Sequence, residues 1–242
     1  MTDRGTLIVT GAAAGIGRAI ACALAADWPR IALVDLDAAR LDDSLAAVRA
    51  AGAEVAAFGA DLAQADAADS VVDAVRRRFG PIGGLVNNAG ILKQVPLSDT
   101  DCADFDLTVA VNLRAPHLLI RAVAPDMIAA GMGAIVSVGS SAGKTGGSSS
   151  QGVYGMTKAG VICLTKSWAR ALAPHGIRVN SVSPALIATD MIRGLEQFAS
   201  AVPLGRLGQP GEVAETVAFL MSDRAGFITG EDIDVNGGFL MD

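Results

Sequence analysis

A glycine-rich turn near the amino terminus constrains the fold more than any other feature of this sequence. It follows a short apolar run, residues 6–10, and opens a stretch of helical periodicity; it contains Gly11, Gly15, Ile16 and Gly17. Gly11 permits a tight turn, Gly15 lets the backbone approach a pyrophosphate, and Gly17 lets the helix sit close to the sheet. Free N–H groups and the helix dipole can then hold phosphates. The turn predicts a dinucleotide site, although its first gap is one residue longer than the standard spacing. A turn used only for packing is the alternative.

Apolar runs rich in β-branched residues or leucine alternate with longer alanine-rich runs along the whole chain. Strands are predicted at residues 6–10, 31–35, 54–58, 84–87, 134–138, 178–182 and 232–235. Helices are predicted at about 15–26, 38–50, 64–79, 101–130, 154–173 and 212–221. Apolar strands that alternate strictly with helices are typical of a parallel sheet covered on both faces. We therefore expect one α/β domain over residues 1–242 with an open, doubly wound sheet; a closed eight-fold barrel is the alternative.

The second predicted strand ends in Asp35, which lies 18 residues after Gly17. This offset is close to the ~20 residues expected of an acid that binds the adenosine ribose. A carboxylate there accepts hydrogen bonds from the ribose hydroxyls and repels the 2′-phosphate of NADP. The following residues, Leu36 and Asp37, supply no base for that phosphate. The sequence therefore favours NAD(H) as the cofactor; a helix cap is the alternative role of Asp35.

The composition excludes several classes of function. The formal net charge is −6 and no run of Lys or Arg is longer than three residues, so we expect neither a nucleic-acid partner nor an anionic membrane. The amino terminus lacks a signal-peptide pattern, and no apolar run approaches the roughly 18 residues of a spanning helix. Three widely spaced cysteines fit a reducing compartment. We expect a cytoplasmic protein, and no cluster has the spacing of metal ligands.

Four further stretches occur in a characteristic order. They are Asn87-Asn88-Ala89-Gly90, Asn112, Gly139-Ser140 and Tyr154-Gly155-Met156-Thr157-Lys158. Together with the glycine turn, they resemble the short-chain dehydrogenase/reductase family. The similarity extends over almost the whole chain, including residues 203–206, 228–230 and 235–238.

The resemblance implies a seven-stranded Rossmann sheet and a catalytic group of Asn112, Ser140, Tyr154 and Lys158. In the family, the asparagine holds a water that relays protons to the lysine. Further cofactor contacts are implied at Leu36, Asp61, Leu62, Asn88, Ala89, Gly90, Pro184, Ile187 and Thr189. One departure is Ala185, because the family usually has Pro-Gly where this chain has Pro-Ala. The resemblance also implies a homotetramer, assembled through two long helices and the carboxyl-terminal segment.

Tyr154 and Lys158 suit proton transfer to or from an alcohol oxygen. Four residues apart on a helix, their side chains share a face, and the ammonium would lower the tyrosine pKa from about 10 toward neutrality. Tyr154 is the only tyrosine in the chain. Two serines are candidates for the catalytic position, because Ser140 matches the family pattern counted from the strand whereas Ser141 matches the usual spacing to the tyrosine. Counting from the strand favours Ser140.

The substrate is predicted only by class. Residues 188–202 should form a lid, with an apolar face of Met191, Ile192, Leu195 and Phe198. Ser140 and Ser141 are expected to contact the substrate, and Lys93 and Gln94 should lie near the pocket rim. We expect a secondary alcohol or ketone with a polar or anionic group that Lys93 or Gln94 recognises. The alternatives are a 3-oxoacyl-carrier reductase that uses NADPH and a non-catalytic dinucleotide-binding regulatory module.

Overall fold

The chain is built on one parallel sheet of seven strands. The computed structural model describes residues 4–192 and 196–241, and for 196–198 the backbone alone. The strands are β1 (Thr6–Thr10), β2 (Arg30–Asp35), β3 (Glu54–Gly59), β4 (Ile82–Asn87), β5 (Gly133–Val138), β6 (Ile177–Pro184) and β7 (Asp232–Val235). They lie in the order β3-β2-β1-β4-β5-β6-β7, and every adjacent pair is parallel. The predicted doubly wound sheet is confirmed, and the closed barrel is wrong because β3 and β7 are open edges.

Eight α-helices connect the described strands and cover the two faces of the sheet. They are α1 (Gly15–Leu24), α2 (Asp42–Ala50), α3 (Ala67–Phe79), α4 (Cys102–Val109), α5 (Ala115–Ala130), α6 (Ala142–Thr145), α7 (Gly152–Leu172) and α8 (Pro210–Met221). One core cluster includes Ile20, Leu33 and Val217, and the cluster on the other face includes Val72, Leu85 and Leu119. Strands β1 and β4 lie in the middle of the sheet and are buried at every position, so side chains on both of their faces are covered.

Several element boundaries differ from the prediction. The strand predicted from residue 84 begins at Ile82. Gly84 lies within this strand and leaves space for Trp28, since a Cβ at Gly84 would lie 2.6 Å from the indole ring. The helix predicted from residue 64 begins at Ala67. The helical region predicted over 101–130 is interrupted by a π-helical segment, Ala110–Arg114. Within the described residues, no helix has the length and apolarity needed to cross a bilayer.

The order of the strands places the candidate site. The chain moves outward from β1 to β3 and then returns past β1 to β4, so the connections after β1 and β4 diverge to opposite faces. Ligands of open α/β sheets bind in the crevice that this reversal opens at the carboxyl ends of the strands. The glycine turn follows β1, and the segment around Asn88 follows β4, so both lie at this crevice.

Candidate active site

The glycine turn is compact and leaves the start of α1 open. A Cβ at Gly17 would lie 2.1 Å from the Gly11 carbonyl oxygen, so the helix can approach the turn this closely only with glycine there. Gly11 itself has φ +63°. The residue preceding the helix, Ala14, has no side chain that can cap the first N–H groups. These donors and the small residues around them fit a pyrophosphate.

Asn88 braces this turn from the end of β4. Its side-chain amide donates to the carbonyl oxygens of Thr10 and Gly11, both at 3.0 Å. The Thr10 hydroxyl in turn accepts the backbone N–H groups of Asn88 and Ala89 at 3.0 Å. The side chain of Asn88, predicted to contact the cofactor, is therefore engaged in holding the turn. Thr10 was not singled out in the sequence, because a threonine at a strand end has many uses.

Asp35 lies at the carboxyl end of β2 beside the glycine turn. One carboxylate oxygen accepts the Ala13 N–H at 3.0 Å, and the other accepts the Leu36 N–H at 2.9 Å. Both contacts use backbone donors, and the carboxylate has further lone pairs for ribose hydroxyls. Leu36 is 66% exposed and can cover one side of an adenine ring. This geometry agrees with the predicted ribose site.

The predicted adenine contacts follow β3. The Asp61 carboxylate accepts the Ala63 N–H at 3.0 Å and the Gln64 side-chain amide at 2.9 Å. These hydrogen bonds hold the pKa of Asp61 below its usual value, so Asp61 is ionised near neutral pH. Leu62 is buried and packs into the core beneath this turn.

Asn112 lies in the π-helical segment and is buried. Its side-chain oxygen accepts the Ile91 N–H at 2.8 Å, and its amide donates to the Ile91 carbonyl at 2.9 Å. The same amide donates to the Thr157 hydroxyl at 3.3 Å. Gly90 lies next to this pair, since a Cβ there would be 3.4 Å from the Asn112 oxygen and 3.5 Å from Lys158 Nζ. Asn112, Gly90 and Lys158 therefore lie close together.

The helix α7 brings Tyr154 and Lys158 to the same place. Lys158 Nζ lies 5.6 Å from the centre of the Tyr154 ring and donates to the Val138 carbonyl at 2.7 Å. The Ser140 side chain is the hydrogen-bonding group that acts on the Tyr154 hydroxyl and favours its ionised form. The Ser140 hydroxyl also accepts the Ala142 N–H at 3.1 Å. Of the two candidate serines, both of which are buried, Ser140 is thus in contact with the tyrosine.

The protonation behaviour of these groups differs from the sequence-based expectation in one respect. Burial raises the pKa of Tyr154, and the hydrogen bond with Ser140 only partly opposes it. Burial also lowers the pKa of Lys158 to about 8. The expected lowering of the tyrosine pKa by Lys158 therefore does not outweigh burial in the protein alone. A charge brought in with the cofactor would have to supply the rest.

The segment after β6 is well placed against the glycine turn. Ile187 is buried and pairs as an isolated bridge with Gly208. A Cβ at Gly15 would lie 3.2 Å from the Thr189 methyl group, so the two parts of the predicted cofactor site are in contact. Pro184, also predicted to contact the cofactor, ends β6. Among the described residues only glycines have positive φ, so Ala185 causes no backbone strain here.

The pocket rim agrees less well with prediction. Lys93, expected to be free for an anionic group, forms an ion pair with Asp104, and Gln94 is exposed. Met191 is 45% exposed, whereas Ile192 is buried. Leu195 and the side chain of Phe198 lie outside the described residues. In the described part of the chain, no group of three or more His, Cys, Asp or Glu side chains could hold a metal ion.

Comparison with known proteins agrees with this geometry. A family model described as enoyl-(acyl carrier protein) reductase matches residues 11–240. The (3R)-3-hydroxyacyl-CoA dehydrogenase of Mus musculus is 39% identical over 248 residues, covering 97% of this chain and 95% of that protein. The 3-oxoacyl-(acyl-carrier-protein) reductase of Staphylococcus aureus is 39% identical over 240 residues, covering 97% of each.

A solved structure shares the fold over its full length. The crystal structure of NAD⁺-bound xylitol dehydrogenase has a TM-score of 0.91 and 32% identity, and the match covers 98% of this chain and 99% of that one. The glycine turn, the Ser140–Tyr154 contact and the neighbouring Lys158 thus occur in a chain that resembles these oxidoreductases from end to end. The chain belongs to the short-chain dehydrogenase/reductase family.

Proposed function

We propose that this oxidoreductase transfers a hydride between NAD(H) and the carbon of a secondary alcohol or ketone. The observation that carries the proposal is the meeting of three side chains: Lys158 Nζ lies 5.6 Å from the Tyr154 ring, and the Ser140 side chain acts on the Tyr154 hydroxyl. Two hydroxyls and an amine beside the carboxyl ends of β4 and β5 can bind one oxygen atom and exchange its proton. The relatives named above support the coarser assignment to hydroxyl and oxo chemistry.

Each side chain has a distinct role in this proposal. Tyr154 takes the hydroxyl proton during oxidation and returns it during reduction. Ser140 donates a hydrogen bond to the substrate oxygen where negative charge develops. Lys158 favours the ionised form of Tyr154 when it is protonated, and Asn112 fixes the backbone at Ile91 beside it. The nicotinamide supplies the hydride chemistry when it is bound.

The choice of NAD(H) rests on Asp35. Its carboxylate is held in place by the Ala13 and Leu36 N–H groups at the position where the adenosine ribose would lie. A 2′-phosphate there would meet this negative charge. Arg18, the basic residue that follows Gly17, is directed to the Ala13 carbonyl at 2.6 Å and to the Ser44 hydroxyl at 3.0 Å. This arrangement favours NAD(H) over NADP(H).

Two substrate classes are compatible with the relatives named above: acyl thioesters and polyols. The hydroxyacyl-CoA and oxoacyl-carrier names of two relatives favour an acyl thioester, and the xylitol dehydrogenase name favours a polyol. Lys93 distinguishes them, because an anionic substrate would have to displace Asp104 from it. If Lys93 recognises an anion, Asp104→Asn should lower the Michaelis constant for an anionic substrate and Lys93→Ala should raise it. Unchanged constants in both variants would rule out that contact.

We also propose a homotetramer, which the family resemblance predicts. Sedimentation equilibrium would show about four times the chain mass of 24.5 kDa if the proposal holds. A monomeric mass would contradict it. This proposal is independent of the chemistry assigned to Tyr154.

Site-directed variants test the proposed chemistry directly. Tyr154→Phe and Ser140→Ala should each reduce kcat/KM by about 10²- to 10⁴-fold while NADH binding persists. Ser141→Ala is the comparison variant at the neighbouring buried serine, and it should reduce kcat/KM less than Ser140→Ala if Ser140 is the catalytic serine. A Tyr154→Phe enzyme with normal turnover would contradict the proposal. Wild-type protein that binds NADH tightly but turns over no alcohol or ketone would instead support the regulatory module.

A further inference from the structure

The turn that carries Ser140 runs directly into α6, a single helical turn pressed against α7. A Cβ at Gly143 would lie 2.7 Å from the backbone of Lys158, and one at Gly155 would lie 2.9 Å from the Ala142 carbonyl oxygen. On this side the contact is therefore backbone against backbone. The same α7 turn carries Tyr154 and Lys158, so the position of α6 sets the distance between Ser140 and these residues.

The other side of α6 is fixed by charge. Lys144 Nζ lies 2.6 Å from Asp234 Oδ2 and 3.2 Å from Asp232 Oδ2. The three side chains are largely buried, with exposures of 17% for Lys144, 7% for Asp232 and 20% for Asp234. The two acids are alternate residues of β7 and so project to the same face of the sheet. They lie at least 88 residues from Lys144 in the sequence, which is why no local pattern reveals the contact.

Asp232 also contributes, through Ser183, to the packing of Gly139, the residue before Ser140. Its carboxylate accepts the Ser183 hydroxyl at 3.0 and 2.8 Å and the Ser181 hydroxyl at 2.7 Å. The Ser183 hydroxyl lies against Gly139, since a Cβ there would be 2.8 Å from it. One carboxylate therefore touches, through Ser183, the residue before Ser140 and, through Lys144, the helix after it.

We propose that Lys144, Asp232 and Asp234 form a buried ion triad that positions the Ser140 hydroxyl against Tyr154. Lys144 acts as a positioning residue, because it reaches the reacting atoms only through α6. A buried ion pair contributes little net stability compared with apolar packing but fixes one geometry. Removal of the Lys144 charge takes away the cation that faces two buried carboxylates, so it should lower the free energy of unfolding and also disturb the Ser140–Tyr154 contact. The inference rests on the proposed function only for its effect on turnover.

The chain's single tyrosine provides a direct readout. Absorbance of tyrosinate as a function of pH reports Tyr154 alone in the intact protein. Because the hydrogen bond with Ser140 lowers the pKa of Tyr154, Lys144→Met should raise that pKa, by about half a unit for a typical hydrogen bond. Asp234→Asn, which removes the shorter arm of the triad, should do the same. We expect kcat to fall about ten-fold in both variants while the Michaelis constant for NAD(H) stays unchanged.

Two controls keep the test specific. Lys144→Arg preserves the ion pairs and should behave like wild type. Lys144 and the exposed Lys166 line one cavity of about 500 Å³. Lys166→Met removes a charge from this cavity and should leave the tyrosine titration and kcat unchanged. Folded Lys144→Met with wild-type turnover and tyrosine titration would overturn the proposal. A loss of activity that follows a lower Tm, with an unchanged titration, would also overturn it. If Lys144→Met does not fold, Asp234→Asn decides by the same criteria.

Tyr154→Phe, measured in parallel, separates the two proposals. If Tyr154→Phe is inactive and the Lys144 and Asp234 variants are fully active, the triad inference fails and the proposed function stands. If Tyr154→Phe is active, the proposed function fails. In that case the tyrosine titration of the Lys144 variants still decides whether the triad holds Ser140 in place.

Discussion

The Asn112 side chain holds both backbone groups of Ile91, accepting its N–H at 2.8 Å and donating to its carbonyl at 2.9 Å. Asn112→Ala would leave these buried groups without partners, at a cost of about 1–3 kcal/mol in the free energy of unfolding. We expect the Tm to fall by roughly 2–4 °C for each kcal/mol. We also expect lower turnover, because the backbone beside Gly90 and Lys158 would move.

Asn180 provides the control for this prediction. It is equally buried and also bonds two backbone groups, the Ile228 carbonyl and the Glu231 N–H, but at the opposite, amino-terminal edge of β7. Asn180→Ala should lower the Tm by a similar amount without changing turnover at temperatures where the protein is folded. Equal loss of turnover in both variants would indicate that Asn112 has no specific role at the site.

Cofactor preference should depend on Asp35. The double variant Asp35→Ser/Leu36→Arg removes the carboxylate and supplies a base, so NAD(H) should bind about 10- to 100-fold more weakly and NADP(H) more tightly. Fluorescence titration with both reduced cofactors measures this ratio. Asp37→Asn is the control, because Asp37 only caps the following turn through the Ala39 N–H. An unchanged NAD(H)/NADP(H) ratio in the double variant would contradict the assignment.

The buried Lys158 should make stability depend on pH in a defined direction. Its pKa falls from 10.5 to about 8 on folding, so between these values the unfolded chain binds more protons and stability rises with pH. Below pH 8 the folded protein must bury the charged form of Lys158, so the stability gained at higher pH is absent. The stability of wild type relative to Lys158→Met should therefore increase from pH 7 to pH 10.

Chemical unfolding of both proteins across this range measures the difference. Lys166→Met, on the exposed side of the same helix, should show no such trend relative to wild type. The pKa of Tyr154 is raised in the folded protein, so ionisation of this tyrosine in the unfolded chain lowers stability only near and above pH 10. Both proteins contain Tyr154, so the comparison largely cancels this effect. If the free energy of unfolding of wild type, relative to that of Lys158→Met, stays constant or falls with rising pH, Lys158 is not buried in this way.

The order of elements and the glycine turn could be predicted because they depend on local patterns. Apolar strands, helical periodicity and the spacing of Gly11, Gly15 and Gly17 are all legible within short windows. The boundaries could not be predicted as well. Near the start of β4, for example, Gly84 packs against the Trp28 ring, which is a contact between distant elements.

The same distinction applies to the site. Tyr154 and Lys158 could be paired by their spacing, but the position of Ser140 relative to Ser141 is decided by the fold around α6. The ion pair of Lys93 with Asp104 and the triad of Lys144 join residues from different elements, so no local sequence pattern indicates them. The protonation of Tyr154 was misjudged because burial, a property of the whole fold, outweighs the neighbouring amine.

The most direct measurement is the tyrosinate titration of the wild-type protein with and without oxidised cofactor. Tyr154 is the only tyrosine, so the absorbance change needs no assignment. If the nicotinamide binds beside Tyr154 and Lys158, the positive charge of NAD⁺ should lower the raised pKa of Tyr154, whereas NADP⁺ at the same concentration should have little effect. A titration curve that is identical with and without saturating NAD⁺ would contradict the account.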